Sequence, residues 1–522
     1  MKVLLVCKEM IAYERTAIML LSSKLKKEGH QVKAVVMKDP STAKKIKLSP
    51  KTKSLLQYPK PITFTESEQK KHSVVPEIYD YVYKVVKDFR PELIGYSVMT
   101  GEHYEVLKLN TILKKDFNFI SVMGGPHPTF NKEVIEEDGI DAICTGEGDD
   151  SFSEFIRRIE KGEDHLSTET FHIKHKGKIY RNPLGNLVHN LNELPFPDRQ
   201  VLYDADPNLA ALGAKSFMSA RGCPYKCSYC FNKEYNDSYK GLGQTLRVRS
   251  PELVIQEIED VRARYPLDTV TFTDDVFTLK PQGWIKEFAK LYKKRIGLPF
   301  NGNVRASSVK EEDIKELKEA GLTHVWMGVE CGDEKVANDI FLRHTTNDTI
   351  HKATQLFNKY GVNIIALNIM GLPVDNPFEV DLRTLDLNLK IKPAMASFGL
   401  LYPFPGTAVA KMAIDSGHFV EDKDTVYLES NKFASMLTFK SKKEKMMVEN
   451  LQKLAGIVVD FPFLRSTVPF LCRLPFTKFY HFFFYLHLGY CHKIRLSPIK
   501  FRNIIKEFPI FYGYFKTLVS KT

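Results

Sequence analysis

The stretch Ser219-Ala-Arg-Gly-Cys-Pro-Tyr-Lys-Cys-Ser-Tyr-Cys-Phe231 contains Cys223, Cys227 and Cys230 with C-x3-C-x2-C spacing. Three thiolates at this spacing can bind three irons of a [4Fe–4S] cluster and leave the fourth iron open to a small molecule, whereas four cysteines would close the cluster. Structural zinc is the alternative, but it normally takes four protein ligands. No further cysteine or histidine follows within the usual ligand spacing, so the sequence favours the open cluster.

Length and composition predict a multidomain cytoplasmic protein. The chain has 522 residues, more than one ordinary domain holds, and 43% of them are hydrophobic, enough for real cores. Eight cysteines are too few for a disulfide scaffold and suit a reducing compartment. The apolar start Met1–Cys7 is too short for a signal peptide and predicts a strand. The net charge of +12 suits nucleic acid, anionic lipid or simple solubility, so its location matters.

Residues 1–160 alternate short apolar runs with helical patterns such as Arg15–Glu28. This alternation predicts βαβ units and a doubly wound, Rossmann-like parallel sheet, with ligands at the carboxyl ends of the strands. The Lys- and Ser-rich residues 39–75 are interpreted as an insertion or mobile loop. The predicted strands are Lys2–Cys7, Gln31–Met37, Leu93–Val98, Phe119–Met123 and Ala142–Cys144.

Residues 215–430 repeat the alternation six times and predict a (β/α) barrel with its functional residues at the carboxyl ends of the strands. Residues 161–214 are rich in turn signals and predict a connector with a short hairpin near Thr170–Arg181. The predicted barrel strands are Ser216–Ser219, Thr269–Thr273, Phe300–Arg305, His324–Val329, Asn363–Ile369 and Ala396–Tyr402, and the predicted helices between them are Pro251–Arg264, Pro281–Lys294, Glu311–Ala320, Asn347–Tyr360 and Pro377–Lys390.

The cysteine motif, with Tyr229 before its last cysteine, resembles the signature of radical S-adenosylmethionine (SAM) enzymes. Upstream of it, Gly124-Gly-Pro-His-Pro128 and Gly146-Glu-Gly148 are similar to the cobalamin-binding domain fused to one branch of that superfamily. Downstream, Tyr402-Pro-Phe-Pro-Gly-Thr407 resembles another recurring motif of that branch. This branch contains the class B methyltransferases and the anaerobic Mg-protoporphyrin monomethyl ester cyclases. The resemblance runs from Met1 to about Thr407 and implies a partial, six-stranded barrel.

The resemblance also implies the cofactors and their residues. A [4Fe–4S] cluster would bind Cys223, Cys227 and Cys230, and Glu330 matches the acidic residue that contacts SAM. Arg305 would meet the SAM carboxylate or the cobalamin. For each charged residue at a strand end, the alternative is a salt bridge at the barrel rim. The other residues assigned to SAM are Asp274, Asp275 and, by backbone approach to adenine, Gly371; those assigned to cobalamin are Gly124, Gly125, His127, Gly146 and Glu147.

The loop after the first predicted strand lacks the cobalt-ligating histidine of the cobalamin mutases, so the resemblance implies cobalt without an imidazole from that loop. His103 follows the third strand and is placed either below the cobalt or in an ordinary loop.

Residues 431–522 predict an aromatic, basic C-terminal cap. Within residues 461–522 there are 17 Phe or Tyr, ten Lys or Arg and one acid, Glu507. This composition suits a helical cap over the barrel or substrate, contact with a membrane surface, or stacking on bases. No known nucleic-acid-binding motif is present, so nucleic acid is the least favoured partner.

The resemblance implies cleavage of SAM at the cluster and, with cobalamin, methylation of an unactivated carbon of a small molecule. The aromatic, basic tail favours a lipid or lipid-linked molecule as that substrate. Oxidative cyclisation or rearrangement with the same cofactors is the second hypothesis, and a sensor without turnover is the third. The expected partners are the substrate, a one-electron donor such as flavodoxin or ferredoxin, and a membrane surface at the C-terminal tail.

Overall fold

The computed structural model describes residues 1–9, 14–38, 76–421 and 434–496. The predicted insertion at residues 39–75 and the last part of the predicted cap, residues 497–522, lie outside these ranges. The described residues form two compact units, the first comprising residues 1–212 and 239–244, the second residues 213–238 and 245–496.

The described strands form a mainly parallel sheet, a parallel sheet and a separate antiparallel pair, β9 with β10. The first sheet has seven strands in the order β2-β1-β3-β4-β5-β6-β7, and the second has six in the order β15-β14-β13-β12-β11-β8. The strands are β1 (Lys2–Lys8), β2 (Gln31–Met37), β3 (Leu93–Ser97), β4 (Ile120–Gly124), β5 (Ala142–Cys144), β6 (Phe171–His175), β7 (Lys178–Arg181), β8 (Ala214–Phe217), β9 (Ala220–Arg221), β10 (Arg247–Val248), β11 (Thr269–Phe272), β12 (Phe300–Val304), β13 (Leu322–Glu330), β14 (Asn363–Met370) and β15 (Met395–Leu400).

The described α-helices cover the sheets and form a C-terminal group. They are α1 (Thr16–Lys27), α2 (Pro76–Phe89), α3 (His103–Leu113), α4 (Pro126–Phe130), α5 (Ser151–Lys161), α6 (Arg199–Ala205), α7 (Pro207–Ala211), α8 (Phe231–Ser238), α9 (Pro251–Arg264), α10 (Trp284–Arg295), α11 (Glu311–Ala320), α12 (Glu334–Asp339), α13 (Asn347–Lys359), α14 (Pro377–Ile391), α15 (Ala408–Asp415), α16 (Lys442–Asp460), α17 (Val468–Leu471) and α18 (Thr477–Tyr490). A π-helical turn, Cys491–Leu496, follows α18.

The first sheet confirms the predicted doubly wound fold. Its strand β1 pairs in parallel with β2 and β3, and the side chains from Val3 to Cys7 are buried. A parallel strand covered on both faces needs such a continuous apolar run. The hairpin β6–β7, which the sequence places in a connector, pairs antiparallel with β5 and extends this sheet. Short-range patterns predicted the hairpin, but only the long-range pairing of Ala142 with Ile173 assigns it to the sheet.

The second sheet confirms the predicted partial barrel. Its strand order follows the chain order and all five strand pairs are parallel, as in a (β/α) barrel. One apolar core joins the strands to their helices; Phe272, Phe288 and Phe300 are almost completely buried in it. The carboxyl ends of the six strands therefore lie along one rim, where the cysteine loop also begins.

Helices α16 to α18 pack on the last part of the barrel. Apolar side chains of α16, including Val448 and Leu451, join Phe398 and Leu400 of β15 in one core. The described part of the predicted cap is therefore helical and anchored through α16. No helix in residues 1–9, 14–38, 76–421 or 434–496 is both long enough and apolar enough to cross a membrane.

Candidate cofactor sites at two sheet rims

The cysteine loop leaves the barrel after β8 and β9 and enters α8. Gly222, one residue before Cys223, has a φ of +87° and no room for a Cβ beside the Thr245 carbonyl, so this turn requires glycine. Cys223 and Cys227 are buried and Cys230 is partly exposed. Burial raises the pKa of Cys223 and of Cys230 to about 11, so these thiols need a cation to become thiolates.

Arg305, which follows β12, contacts the cysteine loop. Its Nη1 donates to Cys227 Sγ at 3.4 Å, and the guanidinium carbon lies 3.9 Å from the ring centre of Tyr225. Three other N–H groups donate to Ser307 Oγ at 2.9 Å, to Thr345 Oγ1 at 3.1 Å and to the Arg343 carbonyl. Four of its five N–H donors are thus used inside the protein, and one of them is aimed at a predicted iron ligand.

Arg343 links the cysteine loop to the end of β13. Its guanidinium donates to the Tyr229 hydroxyl at 3.0 Å and to the Gly328 carbonyl at 2.6 Å, and lies 3.7 Å from Glu330 Oε1. The sequence analysis did not select Arg343. It lies between Leu342 and His344, two non-glycine residues with positive φ. This backbone strain marks the position, but it is visible only in the structure.

Glu330 is held in an unusual conformation at the end of β13. Its φ is +65°, a left-handed value that costs a non-glycine residue about 1–2 kcal/mol. The carboxyl group is almost fully buried, and burial raises its pKa although Arg343 and Tyr229 oppose the rise. A strained, buried acid at a strand end is suited to accept a cationic ligand.

The neighbouring acids Asp274 and Asp275 have different surroundings. Asp274 is completely buried, accepts from the Ser219 backbone N–H at 2.7 Å and from the Ser219 hydroxyl, and pairs with Lys280 Nζ at 2.8 Å. These contacts match the salt-bridge alternative, and they fix the chain four residues before Cys223. Asp275 is exposed to solvent although protein surrounds most of it, so it lies in a concave part of the rim. Partial desolvation raises its pKa, against hydrogen bonds from Asn232 and the Gly222 backbone.

Gly371, after β14, is positioned by α14. Its φ is +70°, and its N–H donates to both carboxylate oxygens of Asp381, at 3.1 and 3.0 Å. One turn further along α14, Thr384 Oγ1 accepts from the Gly332 N–H at 3.0 Å. One buried helix face therefore holds the backbone after two adjacent strands, and the Gly371 N–H is occupied by Asp381.

Glycine backbone follows β4, and two uncharged rings, His127 of α4 and His103 at the start of α3, lie against each other. A Cβ on Gly124 would meet only Cys144 Cβ, at 3.8 Å, whereas Gly125 has a φ of +105° and a Cβ there would lie 2.7 Å from the Val98 carbonyl. His127 stacks on His103 with ring centres 3.8 Å apart. Burial lowers the pKa of His127 to about 4 and that of His103 to about 3, so both imidazoles are neutral at pH 7.

The two remaining predicted cobalamin residues are held by their own unit. A Cβ on Gly146 would overlap the Tyr239 hydroxyl, which accepts a hydrogen bond from the Glu147 N–H at 2.9 Å. The Glu147 carboxylate accepts from the Val188 N–H at 3.0 Å. Gly146 and Glu147 therefore have a packing role, whatever else they contact.

These surroundings fit the groups that the sequence implies. Two donors, Arg305 Nη1 and Asn232 Nδ2, point at the sulfurs of Cys227 and Cys230, at 3.4 and 3.6 Å, as donors do around cluster thiolates. In the first unit, His103 Nδ1 and His127 Nε2 are buried without a hydrogen-bond partner among the described residues. Such orphaned atoms require water or a ligand.

Comparison with known proteins identifies both units. Residues 65–156 match the B12 binding domain and residues 218–384 match the radical SAM superfamily. The chain is a B12-binding radical SAM enzyme. Its cofactors are a [4Fe–4S] cluster, SAM and cobalamin, and its reaction requires a reductant.

Relatives of this B12-binding radical SAM enzyme include a methyltransferase and a cyclase. It is 28% identical over 340 residues to an uncharacterized methyltransferase of Pyrococcus horikoshii, a match covering 64% of this chain and 72% of the relative. It is 25% identical to the anaerobic magnesium-protoporphyrin IX monomethyl ester cyclase of Rubrivivax gelatinosus, covering 62% of this chain but only 59% of the cyclase. The chain thus spans less than two thirds of the cyclase.

A solved structure shows the same fold over almost the whole chain. The cobalamin-dependent SAM radical enzyme OxsB, with aqua-cobalamin and SAM bound, superposes with a TM-score of 0.64 at 16% identity and covers 97% of this chain and 74% of its own. At this identity the likeness concerns the fold alone.

Proposed function

We propose that this enzyme methylates an unactivated carbon of a small, lipid-like molecule. The observation that carries the proposal is the rim of the second sheet, where three free cysteines, Arg305 and Glu330 lie together in a chain that also has a B12-binding domain. The Pyrococcus relative, described as a methyltransferase, supports methyl transfer.

Each rim residue has a separate task in this proposal. Cys223, Cys227 and Cys230 hold the cluster, and Glu330 and Asp275 bind the ammonium group of SAM. Bound together, the three cofactors supply a carbon radical and a methyl group for transfer. Asp274 and Arg343 act as positioning residues, because one fixes the start of the cysteine loop and the other joins Tyr229 to the end of β13.

On the first sheet, we assign Gly124, Gly125 and His127 to cobalamin. Gly124 leaves room for close approach, Gly125 sets the turn, and His127 supplies a neutral imidazole. The structure gives no comparable opening at Gly146, which faces Tyr239. Cobalamin contact at Gly146 and Glu147 therefore rests on the sequence resemblance.

A lipid-like substrate is favoured by an exposed apolar surface on α17, α18 and the turn before them. We call this surface the aromatic face. Residues 461–490 contain no acid, and Arg465, Arg473 and Lys478 add positive charge. Exposed aromatic side chains beside basic ones suit the interface of an anionic membrane. The aromatic face consists of Phe461, Phe463, Phe470, Phe476, Phe479, Phe482, Phe483, Leu486 and Tyr490.

Vesicle flotation tests the membrane contact. The wild type should float with vesicles that contain anionic lipid and much less with neutral ones. A variant with Phe463→Ser, Phe470→Ser and Phe479→Ser should lose most of this binding, because these three side chains are 75, 64 and 60% exposed. The control is Val420→Ser, which removes an apolar side chain of 74% exposure outside the aromatic face. Equal flotation of the triple variant and the control would remove the membrane from the proposal.

Transfer of a labelled methyl group tests the reaction. The reduced holoenzyme is incubated without oxygen with a lipid extract and SAM carrying a deuterated methyl group. A lipid that acquires this methyl group supports the proposal. The Rubrivivax cyclase favours a second candidate, oxidative cyclisation with the same cofactors. Consumption of SAM with product that has lost hydrogen and gained no labelled methyl would favour that candidate.

A further inference from the structure

A second group of potential metal ligands lies in the C-terminal helices, outside the cysteine loop. It consists of Asp460 at the end of α16, and His487 and Cys491, one helical turn apart on α18 and the turn after it. Cys491 is fully buried, and the other two are partly buried. The ligand atoms of all three residues lie within 4.8 Å of one another.

Asp460 and Cys491 both approach the same ring nitrogen of His487. His487 Nε2 lies 2.8 Å from Asp460 Oδ2 and 3.5 Å from Cys491 Sγ, and this sulfur lies 4.0 Å from the same carboxylate oxygen. A catalytic relay uses opposite nitrogens of the imidazole, one for the carboxylate and one for the nucleophile. Convergence on one nitrogen is instead the arrangement of ligands around a shared cation.

One of the three separations matches the edge of a zinc tetrahedron, and the other two lie close to it. With Zn–S of about 2.3 Å and Zn–N or Zn–O of about 2.0–2.1 Å, tetrahedral ligands lie about 3.3–3.6 Å apart. The Cys491–His487 separation of 3.5 Å agrees, and movement of the carboxylate by roughly 0.5 Å would bring the other two into this range.

The surroundings support the ligands. Arg495 Nη1 donates to the other carboxylate oxygen of Asp460 at 2.7 Å, which is the outer hydrogen bond that orients metal-bound carboxylates. Gly456 of α16 admits the imidazole, because a Cβ there would lie 3.3 Å from His487 Cε1.

We propose that Asp460, His487 and Cys491 bind one divalent transition-metal ion, with zinc as the expected occupant. One imidazole, one thiolate and one carboxylate suit zinc and leave its fourth position to a solvent molecule. The ion would fasten α18, which carries much of the aromatic face, to α16. This site is separate from the iron ligands and does not depend on the proposed reaction.

Metal analysis of the whole protein tests the site. The protein is produced with added zinc, passed briefly over a chelating resin, and analysed by mass spectrometry for metals. The wild type should retain about one zinc per chain. The Cys223→Ala, Cys227→Ala, Cys230→Ala triple variant should retain the same amount, which separates this zinc from metal bound in place of the cluster.

Single substitutions then assign the ligands. His487→Ala and Cys491→Ser should lose the zinc, whereas Cys491→His, which restores a ligand, should retain it. Cys472→Ser is the matched control, because Cys472 is equally buried and is not part of the group. Absence of zinc from the wild type, or the full amount in His487→Ala and Cys491→Ser, would overturn the proposal. Absence of zinc from the wild type and the triple variant overturns the proposal even if a ligand variant does not fold.

Discussion

In both sheets the candidate ligand-binding residues lie at the carboxyl ends of parallel strands, but the residues at the two rims differ in charge. The rim of the first sheet presents glycine backbone at Gly124 and Gly125 and the neutral imidazoles of His103 and His127. The rim of the barrel carries thiols, two buried arginines and buried or enclosed acids. Fold alone therefore selects where a ligand binds, and the side chains at the rim select what it is.

This difference matches the groups that the two units bind. Cobalamin is a large ring edged with amides, so it needs space and hydrogen-bonding backbone more than fixed charge. SAM is charged at its sulfonium, ammonium and carboxylate groups, and the cluster takes up an electron, so the barrel rim needs charges of both signs. Substitutions at one rim at a time test this difference between the two units.

Loss of one iron ligand should have the largest effect. Cys227→Ala should remove the cluster, seen as loss of bound iron and sulfide, and SAM cleavage should become undetectable, because two thiolates do not hold the cluster. The matched control Cys472→Ala removes a buried thiol elsewhere in the barrel unit and should keep wild-type iron. Full iron content in Cys227→Ala would contradict the assignment of the cysteine loop.

The two adjacent glycines of the first rim should separate steric strain from ligand approach. Gly125→Ala should lower the free energy of unfolding by about 1–3 kcal/mol and weaken cobalamin binding, because its φ of +105° and the Val98 carbonyl exclude a Cβ. Gly124→Ala should change stability by less than about 0.5 kcal/mol, yet also weaken cobalamin binding. Thermal unfolding of cobalamin-free protein and binding titrations measure both. Unchanged binding in Gly124→Ala would remove Gly124 from the cobalamin site.

The neutral histidines should make the first unit sensitive to acid. Between pH 6.5 and about 4, His127 binds a proton in the unfolded chain but not in the native protein. The free energy of unfolding therefore decreases as the pH is lowered through this range. Each such histidine contributes a slope of about 1.4 kcal/mol per pH unit. His127→Gln should reduce the slope of cobalamin-free protein, whereas His189→Gln, at an exposed position, should not. Equal slopes for the two variants would contradict a neutral, buried His127.

Removal of the arginine beside the cluster should have the smallest effect. The N–H of Arg305 on Cys227 stabilises the more negative, reduced cluster, so Arg305→Met should lower the midpoint potential. A charge-assisted hydrogen bond of about 1.5 kcal/mol corresponds to roughly 60 mV for one electron. A redox titration followed by electron paramagnetic resonance measures the shift, with Arg295→Met as the control at a partly exposed ion pair between outer helices of the barrel. An unchanged potential would show that Arg305 acts only in packing.

The sequence was sufficient where information is local. Apolar runs and helix starts predicted the bounds of β2, β5, α9 and α11 to the residue. Hydrophobic spacing and N-terminal capping depend on residues that are close in the sequence, so they can be recognised without the fold. The C-x3-C-x2-C spacing identified the cluster motif for the same reason. The comparisons with known proteins confirm the two domain types and the cofactors.

Contacts between distant positions were not predictable in this way. The residues around Asp274 do not predict its hydrogen bond with Ser219, 55 residues earlier. Those around Arg343 do not predict its hydrogen bond with Tyr229, 114 residues earlier. The sequence therefore ranked Asp274 with Asp275, although their environments differ. Asp460 and His487 are likewise separated by 27 residues, and only helix packing brings them together.

The most direct test of the account is the pair of nucleosides that the enzyme makes from SAM. The protein is reconstituted without oxygen with iron, sulfide and hydroxocobalamin, then given SAM, a lipid extract and a strong reductant, beside Cys227→Ala. We predict both 5′-deoxyadenosine and S-adenosylhomocysteine from the wild type and neither above background from the variant. Neither product from wild-type protein with a complete cluster would contradict the account.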